Sequence, residues 1–218
     1  MFATTKKELD KNMYFKPISL KDKFRFTCIG CAGCCRNVKQ SVSINSLDIF
    51  NIAKHLDKTM EEIISEYTEY VWITESLPLP VLKTKEDDTC IFLESNKCRI
   101  HVAKPYVCKI YPLSALPHDN MNKLKYGIAS KEEHHFTGKE VSVKEWVNTN
   151  MDEDQKELIL YEKNTIIAIE NRLHKTFLQN EFKRAVSMYL YYKYFNYDMD
   201  KPFLPQYKQN TEQLLKVL

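Results

Sequence analysis

The residues of this chain best suited to chemistry are seven cysteines. Four form a CxxCxxCC run and three follow at longer intervals: Cys28, Cys31, Cys34, Cys35, Cys90, Cys98 and Cys108. Thiolates are strong metal ligands, and a two-residue spacer lets a loop curl so that several sulfurs face one centre. No cysteine follows Cys108 in the 218 residues. The pattern predicts that all seven cysteines are metal ligands, with the first four the firmest.

Two glycines, Gly30 and Gly33, separate the cysteines of the first run. Glycine permits close and left-handed backbone conformations, which allow N–H groups to point back at the sulfurs. If the run were helical instead, three of its cysteines would share one face and Cys34 would lie about 100° away. Either conformation brings at least three sulfurs together.

The number and spacing of the cysteines leave the metal open. A 4Fe-4S cluster uses four thiolates, and CxxCxxC matches the first three ligands of bacterial ferredoxins, although Cys35 follows too early to be their fourth. An iron-sulfur cluster, with the remaining cysteines as an open three-thiolate site, is the preferred interpretation. The alternative is zinc, because seven thiolates and one histidine would close two tetrahedral sites. Adjacent Cys34 and Cys35 are easier to place on different metals, or as bridging ligands, than on one ion.

Three histidines are candidates for an additional ligand. His101 follows Cys98 by three residues, and the pair His134 and His135 precedes Gly138 in a polar segment. A single histidine is more often an ordinary surface or core residue than a metal ligand. The sequence therefore leaves open whether any of the three binds metal.

Composition excludes several classes of function. The 32 basic and 29 acidic residues are spread along the chain, which gives no case for nucleic-acid binding. The first twenty residues lack the apolar core of a signal peptide, and no segment is apolar for the length of a membrane-spanning helix. We therefore expect a cytoplasmic protein without a membrane span. Thiols are kept reduced there, which favours metal binding over structural disulfides.

The elements that position the cysteines are predicted in outline. Local patterns predict a strand at 22–27, a helix at 46–56 capped by Asn45 or Ser46, and a second helix from a capping box at Thr59 through Val71. Further predicted elements are a buried strand at 90–93, a short helix after Pro105 that carries Cys108, a strand at 123–129, and helices at 152–178 and 182–195. The last twenty residues have the character of a loosely attached tail.

These elements predict a mainly α fold with a few short strands (α+β). We expect a lead-in at 1–20, a metal-centred cysteine-cluster domain at 21–140, and a helical C-terminal extension at 141–218 packed against it. The tyrosine-rich segment 189–195 suits a packed core helix, with a partner-binding surface as the alternative.

In this order, the motifs resemble the YkgJ-like CxxCxxCC family, described as zinc- or iron-chelating domains. The resemblance covers about residues 24–140 and rests on Phe26-x-Cys28-x-x-Cys31-x-x-Cys34-Cys35, Leu47-Asp48-Ile49, Cys90-Ile91-Phe92-Leu93, Cys98-Arg99-Ile100 and Lys104-Pro105-x-x-Cys108-x-x-Tyr111-Pro112. It implies that the seven cysteines bind metal. The chain departs from the family in Lys104, where arginine is usual, in His101, where tyrosine is common, and in lacking a further cysteine near His134.

The resemblance also bears on activity, because the family includes flagellin lysine N-methylase. That would imply an S-adenosylmethionine-dependent enzyme acting on a protein substrate, yet four glycines cannot form a glycine-rich nucleotide loop. Two functions stay open. One is a redox or protein-modifying enzyme with Tyr106, Tyr111 and His101 near the cluster; the other is a structural zinc-binding or interaction module without catalysis. A Cys–His hydrolase using Cys108 has no local signature. The sequence indicates neither a catalytic residue nor an oligomeric state.

Overall fold

The computed structural model describes residues 16–119, 121–128, 136–178 and 181–218. Within these ranges the chain has seven α-helices and several short antiparallel strands, which confirms the predicted α+β class. His134 and His135 lie outside the described residues. The division at residues 20 and 140 stays a prediction. In the part of the chain described, no helix has the length and apolar character needed to cross a bilayer.

The strands of the described residues form four small antiparallel sheets. One sheet has the order β1-β8-β7, and the others are the pairs β2-β9, β3-β4 and β5-β6. The strands are β1 Lys16–Ile18, β2 Lys23–Arg25, β3 Thr68–Trp72, β4 Pro78–Leu82, β5 Leu93–Glu94, β6 Lys97–Cys98, β7 Leu113–Pro117, β8 Leu124–Ile128 and β9 Glu140–Ser142. β2 and β8 lie inside the segments predicted as strands.

The helices account for most of the chain after residue 140. They are α1 Ser46–Leu56, α2 Met60–Tyr67, α3 Tyr106–Lys109, α4 Val143–Asn150, α5 Glu153–Leu178, α6 Phe182–Leu190 and α7 Phe203–Val217, with a 3-10 turn at Gly33–Cys35 and a π-helical turn at Tyr191–Phe195. α1 has the predicted bounds and a capping box. In that box the Asn45 side chain accepts from the Asp48 N–H, and the Asp48 carboxylate accepts from the Asn45 N–H.

The predicted continuation of the second helix to Val71 is wrong. Thr59 forms the expected capping box with Glu62, but α2 ends at Tyr67. Val71 instead belongs to β3 and pairs with Leu79 of β4. β-branched and aromatic residues suit a strand, and pairing with the next strand along the chain, β4, overrides their helical spacing.

The predicted strand at 90–93 is also wrong for most of its length. The Leu93 N–H donates to the Cys90 carbonyl at 2.9 Å, closing a turn, and only Leu93 and Glu94 form a strand. The turn at Ser95 and Asn96 is as predicted, since both residues have positive φ. Cys98 therefore returns beside Leu93, with which it pairs.

The C-terminal segment is a core element rather than a loose tail. Tyr207 and Leu214 of α7 are fully buried, and the Phe203 ring lies 5.3 Å from the Phe50 ring of α1. Spacings of four and seven residues place these buried side chains on one helical face. The many polar residues of α7 occupy its other face, which hid this pattern in the sequence.

A buried polar group joins three C-terminal elements. The Lys193 ammonium lies 2.8 Å from Glu162 Oε1 of α5, and the Tyr207 hydroxyl of α7 donates to the same oxygen at 2.6 Å. Lys193 Nζ also contacts the Tyr207 hydroxyl. Tyr189, Lys193 and Tyr194 of the tyrosine-rich segment are buried, as predicted for a packed core helix, whereas Tyr191 is exposed.

Candidate metal centre

The CxxCxxCC run forms an irregular loop that ends in a 3-10 turn. Gly30 has φ 68°, the left-handed conformation predicted for it, and Ala32 at φ 58° takes the second left-handed position. Gly33 instead begins the 3-10 turn that carries Cys34 and Cys35. The Sγ atoms of these adjacent cysteines lie 4.0 Å apart. The loop is therefore neither a helix nor an extended strand, and it turns both sulfurs toward one region.

Three cysteines share a local arrangement in which a backbone amide two residues later faces the sulfur. The Gly33 N–H donates to Cys31 Sγ at 3.3 Å. The Phe92 N–H faces the sulfur of Cys90, and the Ile100 N–H faces the sulfur of Cys98. Each hydrogen bond lowers the pKa of its thiol, whereas burial raises it. Such donors stabilise a thiolate and leave its lone pairs directed at a metal. The predicted role of the backbone N–H groups is thus present at three separate segments.

Backbone hydrogen bonds join the first cysteine run to the second. The Cys90 N–H donates to the Cys35 carbonyl at 2.9 Å, and the Val38 N–H donates to the Asp88 carbonyl at 2.9 Å. The Arg36 guanidinium also bonds the Asn96 side chain at the tip of the β5-β6 hairpin. These bonds hold the loop against the hairpin that carries Cys98.

Aromatic side chains support the segments next to the β5-β6 hairpin. Phe92 is buried, and its ring lies 4.7 Å from the ring of Tyr67 at the end of α2. The Arg99 guanidinium lies over both rings and donates to the Tyr67 hydroxyl at 2.8 Å. The segments around Cys90 and Cys98 therefore pack around the Tyr67 and Phe92 rings.

The thiols of the inner group influence one another. Burial raises the pKa of Cys90, Cys98 and Cys108, whereas for Cys35 the contact with Cys34 is the largest cause and burial the second. Negative charge on Cys34 adds to the increase at all four of these thiols. Mutual repulsion of this kind is relieved when a cation binds between the sulfurs. We call these five cysteines the inner thiols: Cys34, Cys35, Cys90, Cys98 and Cys108.

Cys28 and Cys31 are not among the thiols whose charges contribute most to the raised pKa values of Cys35, Cys90, Cys98 and Cys108. We call Cys28 and Cys31 the outer pair. Burial does not make this division, because Cys34 is exposed like Cys28, and Cys31 is half-buried like Cys35, Cys98 and Cys108. The spacing of the run does not indicate it either.

The inner thiols fit a thiophilic metal in donor type, and one pair fits in distance. Two sulfurs bound to one tetrahedral zinc ion lie about 3.8 Å apart, given zinc–sulfur bonds of about 2.3 Å. The 4.0 Å between Cys34 and Cys35 is close to that value. Within the described residues, no three or more histidine, cysteine, aspartate or glutamate side chains are already arranged to hold an ion. The thiols must therefore draw together for metal binding.

A carboxylate without an assigned role in the sequence lies beside the inner thiols. Asp48 of α1 is 4% exposed, and its Oδ1 accepts from the Tyr106 N–H at 2.8 Å. Burial raises the pKa of Asp48 to about 7, against the effect of its two backbone donors. Its negative charge also adds to the raised pKa of Cys108. Two signals in the sequence involved Asp48: its place at the third position of a capped helix and the Leu47-Asp48-Ile49 motif of the family resemblance. Neither indicated a contact with the cysteines.

The other predicted neighbours of the cluster lie at different distances from it. His101 is exposed on the turn after Cys98. Its backbone N–H donates to the Cys98 carbonyl at 3.2 Å. Tyr106 begins the helix that carries Cys108, whereas the Tyr111 ring packs 5.9 Å from Phe26 in a second core. The Tyr106 N–H donates to Asp48, which ties Tyr106 to the surroundings of Cys108.

Comparison with known proteins supports metal binding by the segment that contains the cysteines. Residues 27–141 match the family model "CxxCxxCC: Putative zinc- or iron-chelating domain". The chain is also 26% identical over 132 residues to "Uncharacterized protein MJ0661" from Methanocaldococcus jannaschii, over 59% of this chain and 66% of that protein's length. No solved structure matches the chain. Because the family model covers more than half of the chain and includes all seven cysteines, this protein belongs to the CxxCxxCC family of zinc- or iron-chelating domains.

Proposed function

We propose that this protein is a metal-binding module whose inner thiols hold one metal centre. The observation that carries the proposal is the backbone amide facing the sulfur of two inner thiols, Cys90 and Cys98, on two separate segments. Ordinary buried cysteines have no need of such donors, whereas metal-bound thiolates gain stability from them.

Four thiolates complete a tetrahedral site, and the inner thiols offer five. Cys35, Cys90, Cys98 and Cys108 come from four segments held together by hydrogen bonds and packing, so we assign them as the main ligands. Cys34 Sγ, 4.0 Å from Cys35 Sγ, lies within reach of the same ion. The outer pair, Cys28 and Cys31, would bind a second ion or pass the metal inward. When bound, the metal supplies a structural cross-link and Lewis acidity.

The distance within the adjacent pair bears on the identity of the metal. In a 4Fe-4S cluster each thiolate binds a different iron, whereas two thiolates of a mononuclear site share one ion. A separation of 4.0 Å between Cys34 and Cys35 suits a shared ion. We therefore propose a mononuclear zinc or iron centre ahead of the iron-sulfur cluster favoured by the CxxCxxC spacing.

The second candidate is an iron-sulfur protein with redox or protein-modifying activity. It is favoured by the N–H donors to sulfur, since such bonds also tune iron-sulfur clusters. Tyr106, whose pKa is raised by burial and by the charge of Asp48, would then lie next to the cluster. S-adenosylmethionine-dependent methylation of a protein substrate belongs to the same candidate, and no motif supports it.

Anaerobic purification, metal and sulfide analysis and absorption spectroscopy test the proposal. A mononuclear site predicts zinc or iron without sulfide, and cobalt substitution should give the intense ligand-to-metal bands of a tetrahedral tetrathiolate. Iron with equimolar sulfide and a broad band near 400 nm would establish the second candidate. A protein that binds neither metal tightly would overturn both.

A further inference from the structure

The short helix that carries Cys108 has no capping group of its own. α3 has only four residues, and its N-cap is Pro105, which makes no side-chain cap. Isolated helices of this length are unstable because one turn costs more conformational entropy than its hydrogen bonds return. The position of Cys108 must therefore be fixed by contacts from outside the helix.

Asp48 provides such a contact at the start of α3. Its Oδ1 accepts from the Tyr106 N–H, one of the amides that a helix leaves without an internal partner, at 2.8 Å. The Asp48 Oδ2 is held by the Asn45 N–H at 3.2 Å, and the Asn45 side chain accepts from the Asp48 N–H at 2.9 Å. The carboxylate is thus held in place by its own helix, α1. Its contact with α3 joins two residues that are 58 positions apart in the sequence.

The far end of α3 is held separately. The Trp146 indole N–H of α4 donates to the Ile110 carbonyl at 3.0 Å, and Ile110 is fully buried. With its last residues anchored there, the helix has one other adjustable end, at Tyr106. Cys108 lies two residues after that end.

We propose that Asp48 is the positioning residue that sets the Cys108 thiol for metal binding. The inference rests on the proposed function, in which Cys108 is a ligand. The carboxylate does not bind the metal; it fixes the helix that presents the sulfur. Groups that orient a metal ligand without binding the metal themselves change metal affinity by about 10- to 100-fold when removed.

Three variants separate this role from a general effect on folding. Asp48→Ala removes both contacts of the carboxylate, and Asp48→Asn retains an oxygen that can accept from the Tyr106 N–H. Asn45→Ala removes the side chain that caps α1 and leaves the hydrogen bond from the Tyr106 N–H to Asp48. Asp48→Ser, too short to reach Tyr106, replaces the alanine variant if that protein does not fold.

The measurement is the rate at which each cysteine is alkylated, resolved by mass spectrometry, in the zinc-bound and the zinc-free protein. We expect Cys108 to react at least about 10-fold faster in zinc-bound Asp48→Ala than in the wild type, with Cys90 and Cys98 still protected, and zinc affinity to fall by about 10- to 100-fold. Asp48→Asn should restore most of the protection, and Asn45→Ala should resemble the wild type.

Equal deprotection of all inner thiols in Asp48→Ala, or unchanged protection of Cys108, would overturn the inference. Failure of both zinc and ferrous iron to protect any cysteine in the wild type would instead refute the proposed function. The zinc-free comparison then still tests the positioning role, because Cys108 alone should react faster when Asp48 is removed. Uniform rates in the zinc-free proteins would rule that role out.

Discussion

Removal of the Glu162 carboxylate should destabilise the protein far more than removal of a surface charge. The change Glu162→Gln leaves the Lys193 ammonium, whose side chain is 2% exposed, without its counter-charge. At 2.8 Å and an effective dielectric constant of about 20, the attraction between the pair is about 6 kcal/mol, and desolvation of the two charges offsets most of it.

The cost of breaking the pair is larger than its net contribution, because the remaining charge stays buried. Loss of one partner of a buried pair costs about 3–5 kcal/mol. We expect the lower end, about 3 kcal/mol, since the Glu162 side chain is 29% exposed and water can reach it. The double variant Glu162→Gln/Lys193→Met should recover most of that loss, because no unpaired charge is then left in the core.

Urea denaturation of the metal-free protein, followed by circular dichroism, measures these free energies of unfolding. Glu153→Gln is a matched control on the same helix, because Glu153 pairs with Lys156 at 2.7 Å and its side chain is 88% exposed. That control should change stability by less than about 1 kcal/mol. Equal effects of Glu162→Gln and Glu153→Gln, or additive single effects in the double variant, would show that Glu162 and Lys193 do not act as a buried ion pair.

Further predictions concern the cysteines, the glycines and pH. Cys108→Ser should abolish tight metal binding, whereas Cys28→Ser should retain at least one bound ion. Metal analysis after desalting measures both, and equal loss of metal in the two variants would contradict the division into inner thiols and outer pair. Gly138→Ala should destabilise the protein by about 1–3 kcal/mol in thermal or urea unfolding, because φ is 127° and a Cβ would lie 2.1 Å from Thr27 Oγ1. Gly30→Ala, with φ 68° and open space around the new Cβ, should cost only about 1 kcal/mol, and a larger loss for it than for Gly138→Ala would be inconsistent with this view. Zinc affinity should rise with pH through neutrality, because thiols with raised pKa values must each release a proton on binding; calorimetry in buffers of different ionisation enthalpy counts these protons, and fewer than about two would argue against a thiolate site.

Local sequence determined the parts of the fold whose causes lie within a few residues. Asn45 and Thr59 cap helices because their side chains reach an amide three residues later, and the bounds of α1 follow from that motif. The left-handed turn at Gly30 and the turn at Ser95 and Asn96 are equally local. The seven thiols and their spacing were sufficient to predict the family and a metal as the ligand class.

Only the tertiary structure decided which of those thiols belong together. The Cys90 N–H donates to the Cys35 carbonyl, and the Tyr106 N–H donates to Asp48, 58 positions away in the sequence. Neither contact leaves a periodic pattern in the sequence. The burial of α7 likewise depends on a partner far away in the chain, since Phe203 packs on Phe50 of α1. Residue types and short spacings therefore determined the chemistry available to this protein. The long-range contacts, which gain their stability from burial, decided where five of the seven sulfurs lie.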